Sequence, residues 1–182
     1  MVTNIPNILT GFRFAVIPVL AILLMVPQHA SVEVAAFGVF VVAAVTDFFD
    51  GYLARKLGAE TVLGKLLDPL ADKVLVITAL IMLIPLGKIP AIASLVIISR
   101  EVIITGLRGL AASSGIIVPA GMLGKIKSTL QYLGVGVLLL PVIITGQYEI
   151  GRVLVYISLV MALWSGIDYC YRLREVLFKA AE

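Results

Sequence analysis

Residues 47–72 read DFFDGYLARKLGAETVLGKLLDPLAD, and they set four carboxylates into an otherwise apolar chain. Asp47 and Asp50 stand at i,i+3, and Asp68 and Asp72 at i,i+4. Either spacing puts its pair on one face of a helix. A short break between the pairs makes the two helices antiparallel neighbours, so their facing ends bring all four carboxylates together. Acids in a membrane-spanning segment cost several kcal/mol and mark a functional site by default. Four close carboxylates repel one another in low dielectric and stay ionised together only with cations between them. Hard oxygen donors with open positions suit magnesium or manganese. Two such ions about 3.5–4 Å apart can clamp an in-line phosphoryl displacement.

The rest of the chain supports a membrane setting. Of its 182 residues, 61% are hydrophobic and 14% charged, and the mean hydropathy is +1.13. A soluble domain is about 45–50% apolar and about 25% charged. A spanning helix needs about 20 mainly apolar residues, and six segments qualify. They run from about Ile8 to Val26, from Ser31 through to Leu57, and from Thr61 to Ile84. The others run from Pro90 to Ala112, from Pro119 to Thr145 with Pro141 inside, and from Glu149 to Leu177. The expectation is an all-α, polytopic membrane protein with six transmembrane helices, forming one domain over residues 1–182. A short segment at about 1–7, with Pro6 as its stop, is expected to lie in the membrane interface. The opening MVTNIPNILTGFRF lacks the charged region and cleavage site of a signal peptide, so the first apolar run is expected to be a retained helix.

Charge sets the orientation. Arg55, Lys56, Lys65, Arg108, Lys125, Lys127, Arg172, Arg174 and Lys179 fall on the side that also holds both termini, whereas Lys88 and Arg152 fall on the other. The basic side is cytoplasmic, so the expected location is the cell membrane, with the aspartates facing the cytoplasm. The same loops account for the net charge of +3. With no basic arm, aromatic-rich basic patch or zinc-finger spacing, nucleic acid is set aside as a partner. The single Cys170 excludes an intrachain disulfide, and the single His29, in an exposed turn, has no zinc-ligand partner at suitable spacing.

Small residues fill the spaces between the acids. Gly51, Ala54 and Gly64 let two helices approach and leave room for a ligand, although plain small-residue packing reads the same way. Arg55 can pair with a phosphate or simply snorkel to the interface.

The spacing D-x2-D-G-x2-A-R-x8-G-x3-D-x3-D resembles the signature of the CDP-alcohol phosphotransferases, with every fixed position present: Asp47, Asp50, Gly51, Ala54, Arg55, Gly64, Asp68 and Asp72. Chain length and helix count are similar too. The resemblance implies a six-helix fold, commonly a homodimer. It implies two divalent ions, Mg2+ or Mn2+, on Asp47, Asp50, Asp68 and Asp72. It also implies that those acids, with Gly51, Ala54, Arg55 and Gly64, frame the CMP part of a CDP-linked lipid, and that Asp72 is the base for the acceptor hydroxyl.

The acceptor must be read from other charges. Arg100 and Arg108 lie two turns apart on the fourth helix and share a face. Arginines in a spanning helix need an anionic partner, which a phosphorylated acceptor supplies through bidentate contacts. Pairing of Arg100 with Glu101 or with an aspartate is the plain alternative. Lys125 and Lys127 stand about 200° apart on a helix, so Lys125, with Ser128 near its face, is expected in the site and Lys127 outside it. Lys73 points about 100° from Asp72 and is given no role. The tyrosines, Tyr169 among them, and Trp164 suit aromatic belts, and Asp168 can pair with Arg172 at i,i+4.

The runs NIPNILTGFR, DPLADK, ISREVIITGLR and GKIKST are together similar to the bacterial phosphatidylglycerophosphate synthase branch of that family. That resemblance implies CDP-diacylglycerol as donor and glycerol 3-phosphate as acceptor, with CMP released. Arg100, Arg108 and Lys125 would hold the acceptor phosphate. Asn7 and Thr10 would lie near the cytidine or metal entrance, although Thr10 can equally cap the first helix. Inositol phosphate, or phosphatidylglycerol in cardiolipin formation, remains an alternative acceptor. A divalent-cation transporter is a distant alternative, because conduction does not require the Gly, Ala and Arg spacing and transporter sites usually lie at the bilayer midplane.

Overall fold

The computed structural model describes residues 5–57, 62–113, 115, 121–141 and 145–181, with side chains over 11–46, 73–112, 115, 121–141 and 145–174. These residues form six helices: α1 (Ile5–Met25), α2 (Ala30–Leu57), α3 (Val62–Leu83), α4 (Ala91–Ser113), α5 (Met122–Leu139) and α6 (Gln147–Ala181). No strand occurs among the described residues.

Local chemistry sets the boundaries. Pro6 falls inside the first turn of α1 rather than ahead of the helix, where a missing N–H costs nothing because no intrahelical acceptor is available to it. The Gln28 amide donates to the carbonyls of Leu23 (3.2 Å) and Val26 (2.7 Å), closing the end of α1. The fifth helix does not run through Pro141. It ends at Leu139, and Leu140 adopts φ −62°, ψ 136°, because a residue before proline is pushed out of the α region. The Gln147 amide then donates to the carbonyls of Leu140 and Pro141, each at 3.1 Å. Gly87 and Gly146 turn the chain at φ 66° and 81°, in the left-handed region that suits glycine.

The helices form one bundle. α5 and α6 pair most extensively, α1 packs on both α2 and α3, and α4 leans on α6. Leu20, Phe40, Leu75, Leu80, Ile97, Leu138 and Val155 make the centre of the core. Two glycines bring α5 and α6 close. A Cβ on Gly134 would sit 2.8 Å from Val155 Cγ2, and one on Gly151 would sit 2.8 Å from Leu138 Cγ. Small residues at a helix crossing allow this approach, which lipid-embedded helices use because they lack a hydrophobic drive to associate.

The outer surface is apolar. Met25 is 73% exposed, Ile167 71% and Trp164 68%. Among the described residues, one stretch, Gln147–Arg174, is long and apolar enough to cross a membrane. The described apolar stretches Gly11–Met25, Ala30–Thr46 and Lys73–Leu83 are shorter.

At one end of the bundle the chain ties α2, α6 and the turn between α3 and α4 together. Lys88 pairs with Glu33 at 3.0 Å and lies 4.5 Å from the centre of the Tyr148 ring. Arg152 donates to the carbonyls of Lys88 (2.9 Å) and Gly87 (2.8 Å) and pairs with Glu149 at 2.6 Å. The two cations that the sequence assigns to the non-cytoplasmic turns therefore meet. His29, also at a helix junction, is exposed as expected.

Candidate active site

The aspartates sit on the backbone of two packed helices. Asp47, Asp50, Gly51, Ala54 and Arg55 belong to α2, and Gly64, Asp68 and Asp72 belong to α3. α2 and α3 contact one another, and α1 packs on both. The helical spacing read from the sequence thus holds for the backbone, and four carboxylates are a donor set that suits a hard divalent cation. The side chains from 47 to 72 lie outside the described residues, as do those of Asn7 and Thr10 in the first turns of α1. Among the described residues no three His, Cys, Asp or Glu side chains gather as a metal site.

Beyond the end of that signature, a cavity of about 540 Å³ opens between α3, α4, α5 and α6. This volume lies in the range of small-molecule sites, about 300–1,000 Å³. Arg100, Arg108, Lys125 and Ser128 all line it. Four residues from two helices, picked out by sequence as an anion site, therefore share one chamber. Arg108 and Lys125 are exposed at this chamber, and the Arg108 guanidinium lies 5.5 Å from the centre of the Tyr169 ring, a cation–π contact. The Ser128 hydroxyl donates back to the Gly124 carbonyl at 3.1 Å, so in this conformation its proton is committed within α5.

Deeper in the wall lies an ionic cluster. Glu101, with its side chain 8% exposed, accepts at Oε1 from Arg100 Nη1 at 2.9 Å and from Lys127 Nζ at 2.5 Å. Arg100 also donates from Nε to the Ala162 carbonyl (3.0 Å) and from Nη2 to Ser165 Oγ (2.8 Å). Pairing of Arg100 with Glu101, the plain alternative at sequence level, thus occurs inside the cavity wall. Gly166 of α6 packs beside Arg100, where an added Cβ would lie 3.5 Å from Nε, an ordinary van der Waals contact.

Three expectations change. Lys127 is not outside the site: it lines the cavity and is only 4% exposed. Helical-wheel separation excludes it only for a short side chain, and a lysine stem can bend across its helix toward a buried carboxylate. Lys73 also lines the cavity. Its ammonium donates to the Thr105 hydroxyl, which in turn donates to the Glu101 carbonyl at 2.6 Å. Tyr169 is buried at 6% exposure rather than facing lipid, packed with Ile104, Ala111 and Leu173. The expected Asp168–Arg172 pair is present at 3.0 Å, and both residues line the cavity mouth. Sequence reading also passed over Arg13, which is fully buried on α1, the helix that packs against both aspartate-bearing helices.

The model of the CDP-alcohol phosphatidyltransferase family matches residues 3–164. The chain is 45% identical over 148 residues to a CDP-diacylglycerol–glycerol-3-phosphate 3-phosphatidyltransferase of Bacillus subtilis, covering 75% of this chain and 77% of that one. It is 36% identical over 169 residues to the protein of that name from Rickettsia typhi, covering 91% and 94% of the two chains. It is 36% identical over 179 residues to a probable phosphatidylglycerophosphate synthase of Mycobacterium tuberculosis, covering 96% and 84%.

Proposed function

The chain belongs to the CDP-alcohol phosphatidyltransferase family, and from that premise we propose that it transfers the phosphatidyl group of CDP-diacylglycerol to glycerol 3-phosphate, releasing CMP. The names of its relatives support the substrate pair. The observation that carries the acceptor is the cavity in which Arg100, Arg108 and Lys125 converge beside the helix that holds Asp72.

Asp47, Asp50, Asp68 and Asp72 hold the divalent ions, Mg2+ or Mn2+, which when bound stabilise charge on the phosphoryl oxygens and on the departing CMP. Those acids, with Asn7, Thr10, Gly51, Ala54, Arg55 and Gly64, form the donor site. Arg100, Arg108, Lys125 and Ser128 orient the acceptor phosphate. Asp72 accepts the proton of the acceptor hydroxyl, and that oxygen forms a bond to the phosphorus carrying the diacylglycerol. The bond from that phosphorus to the CMP oxygen breaks, and CMP leaves as the anion. A base within hydrogen-bond reach of the hydroxyl contributes roughly 10²–10⁴-fold. Holding the acceptor by its phosphate converts a bimolecular encounter into a positioned one.

All six helices cross the cell membrane, with both termini and the cavity on the cytoplasmic side, and residues 1–182 work as one domain. The many large apolar residues exposed on the outer surface support this placement. The family resemblance adds a homodimer.

The experiment is CMP release from CDP-diacylglycerol by the purified protein with magnesium or manganese. It is run against a panel of glycerol 3-phosphate, inositol phosphate, phosphatidylglycerol and serine. Release with glycerol 3-phosphate is expected; release only with another acceptor moves the chain to a different branch of the family. Divalent-cation flux in proteoliposomes without any CMP release would replace the enzyme reading with a transporter.

A further inference from the structure

Glu101 is the least expected residue of the cavity wall: an acid in a chamber whose proposed ligand is an anion. Its placement is constrained from three helices. It stands on α4, its Oε1 meets Lys127 from α5 at 2.5 Å and Arg100 from its own helix at 2.9 Å, and Arg100 is in turn fastened to Ala162 and Ser165 of α6. All three charged residues line the same cavity. Glu101 and Lys127 also line a second, smaller cavity of about 40 Å³ with Lys73, Ser128 and Gln131. An ion pair that served only to join helices would not need to face a chamber; Glu33 and Lys88 do that work at the far end.

We propose that Glu101 is a positioning residue for the acceptor phosphate: it holds Arg100 and Lys127 side by side on the cavity wall, charged and in register, before the phosphate arrives. This rests on the acceptor reading given above. A buried lysine and arginine without a nearby carboxylate repel each other and lose the anchor that keeps them together. With Glu101 between them they form a preplaced donor pair, and preplacement removes an ordering cost that binding would otherwise carry. The glutamate does not touch the acceptor; it acts through its two cations.

The test is steady-state CMP release by Glu101→Gln and Glu101→Asp, with both substrates varied and inorganic phosphate as a competing anion. Glu101→Gln keeps the shape and removes the charge. Its KM for glycerol 3-phosphate should rise about tenfold, the scale of one lost charge-assisted hydrogen bond, and the inhibition constant of inorganic phosphate should rise in parallel. The KM for CDP-diacylglycerol should stay within twofold. Glu101→Asp keeps the charge on a shorter arm and should fall between wild type and Glu101→Gln, which also serves if the glutamine variant does not fold. Adding Lys127→Met to Glu101→Gln should cost little more than either change alone. The proposal is overturned if acceptor KM and phosphate inhibition stay at wild-type values in a folded variant, or if both substrates' KM values rise together. If wild type itself releases no CMP with glycerol 3-phosphate, the acceptor reading has failed instead.

Discussion

Both ends of the helix bundle bury charge, but they use it differently. At the end built from the start of α2, the turn between α3 and α4, and the start of α6, each cation terminates on protein. Lys88 ends on Glu33, and Arg152 ends on Glu149 and on two backbone carbonyls. At the other end Arg100 and Lys127 share one carboxylate oxygen. Among the described residues neither Arg108 nor Lys125 ends on a carboxylate at all. The first arrangement is saturated and serves as a clasp. Among the described residues lining its cavity, the second carries more cations than acids. Net charge alone would not separate a clasp from a binding site; what separates them is whether donors are matched by acceptors within the protein.

The sharpest way to break this contrast is to strike the reacting end. Asp72→Asn should leave CDP-diacylglycerol binding largely intact and lower turnover by roughly 10²–10⁴-fold, the range of a general base. Wild-type-like CMP release in that variant would remove Asp72 as the base. A smaller effect is expected at the cavity mouth. Arg108→Ala should raise the KM for glycerol 3-phosphate by about ten- to a hundredfold, as for loss of a charged donor, with little change in thermal stability. An unchanged acceptor KM would take Arg108 out of the site. The clasp should respond the opposite way and most weakly. Lys88→Met leaves Glu33 without its ammonium partner and should lower stability by about 1–3 kcal/mol, read as an earlier unfolding midpoint in detergent. Both KM values should remain near wild type. A selective rise in acceptor KM from Lys88→Met would erase the distinction between the two ends.

Much of this was legible in the residues themselves. Long apolar runs separated by Pro and Gly locate all six helices, because lipid and helix geometry both demand such runs. The boundaries were less legible around proline: the apolar pattern continues across Pro141, yet Leu140 has already left the helix. The helical spacing of the acids was plain from their numbers. Arg100 and Arg108 could be paired on one face for the same reason, and both do line the cavity. Lys73 and Lys127 could not be placed, because a wheel treats side chains as spokes fixed at the Cα, whereas a lysine stem reaches well beyond its own face. The part played by Glu101 was hidden differently. Its neighbour Arg100 is adjacent in sequence, but Lys127 and the α6 residues that fasten Arg100 are distant along the chain, and no periodicity links them. The burial of Arg13 and of Tyr169 likewise depends on which helices pack against theirs.

Lys73 carries one more consequence. It follows Asp72 directly on α3, it lines the cavity, and its ammonium donates to Thr105 of α4. One residue along a helix is a rise of about 1.5 Å, so on the proposed function an acid of the donor site and a side chain lining the acceptor cavity leave α3 one peptide unit apart. On that reading, the occupancy of one site is expected to alter the affinity of the other. Whatever filling one half does to the affinity of the other must be returned in equal measure, since linkage between two sites is reciprocal. On the proposed function, α3 would be the element through which the two substrates report on each other.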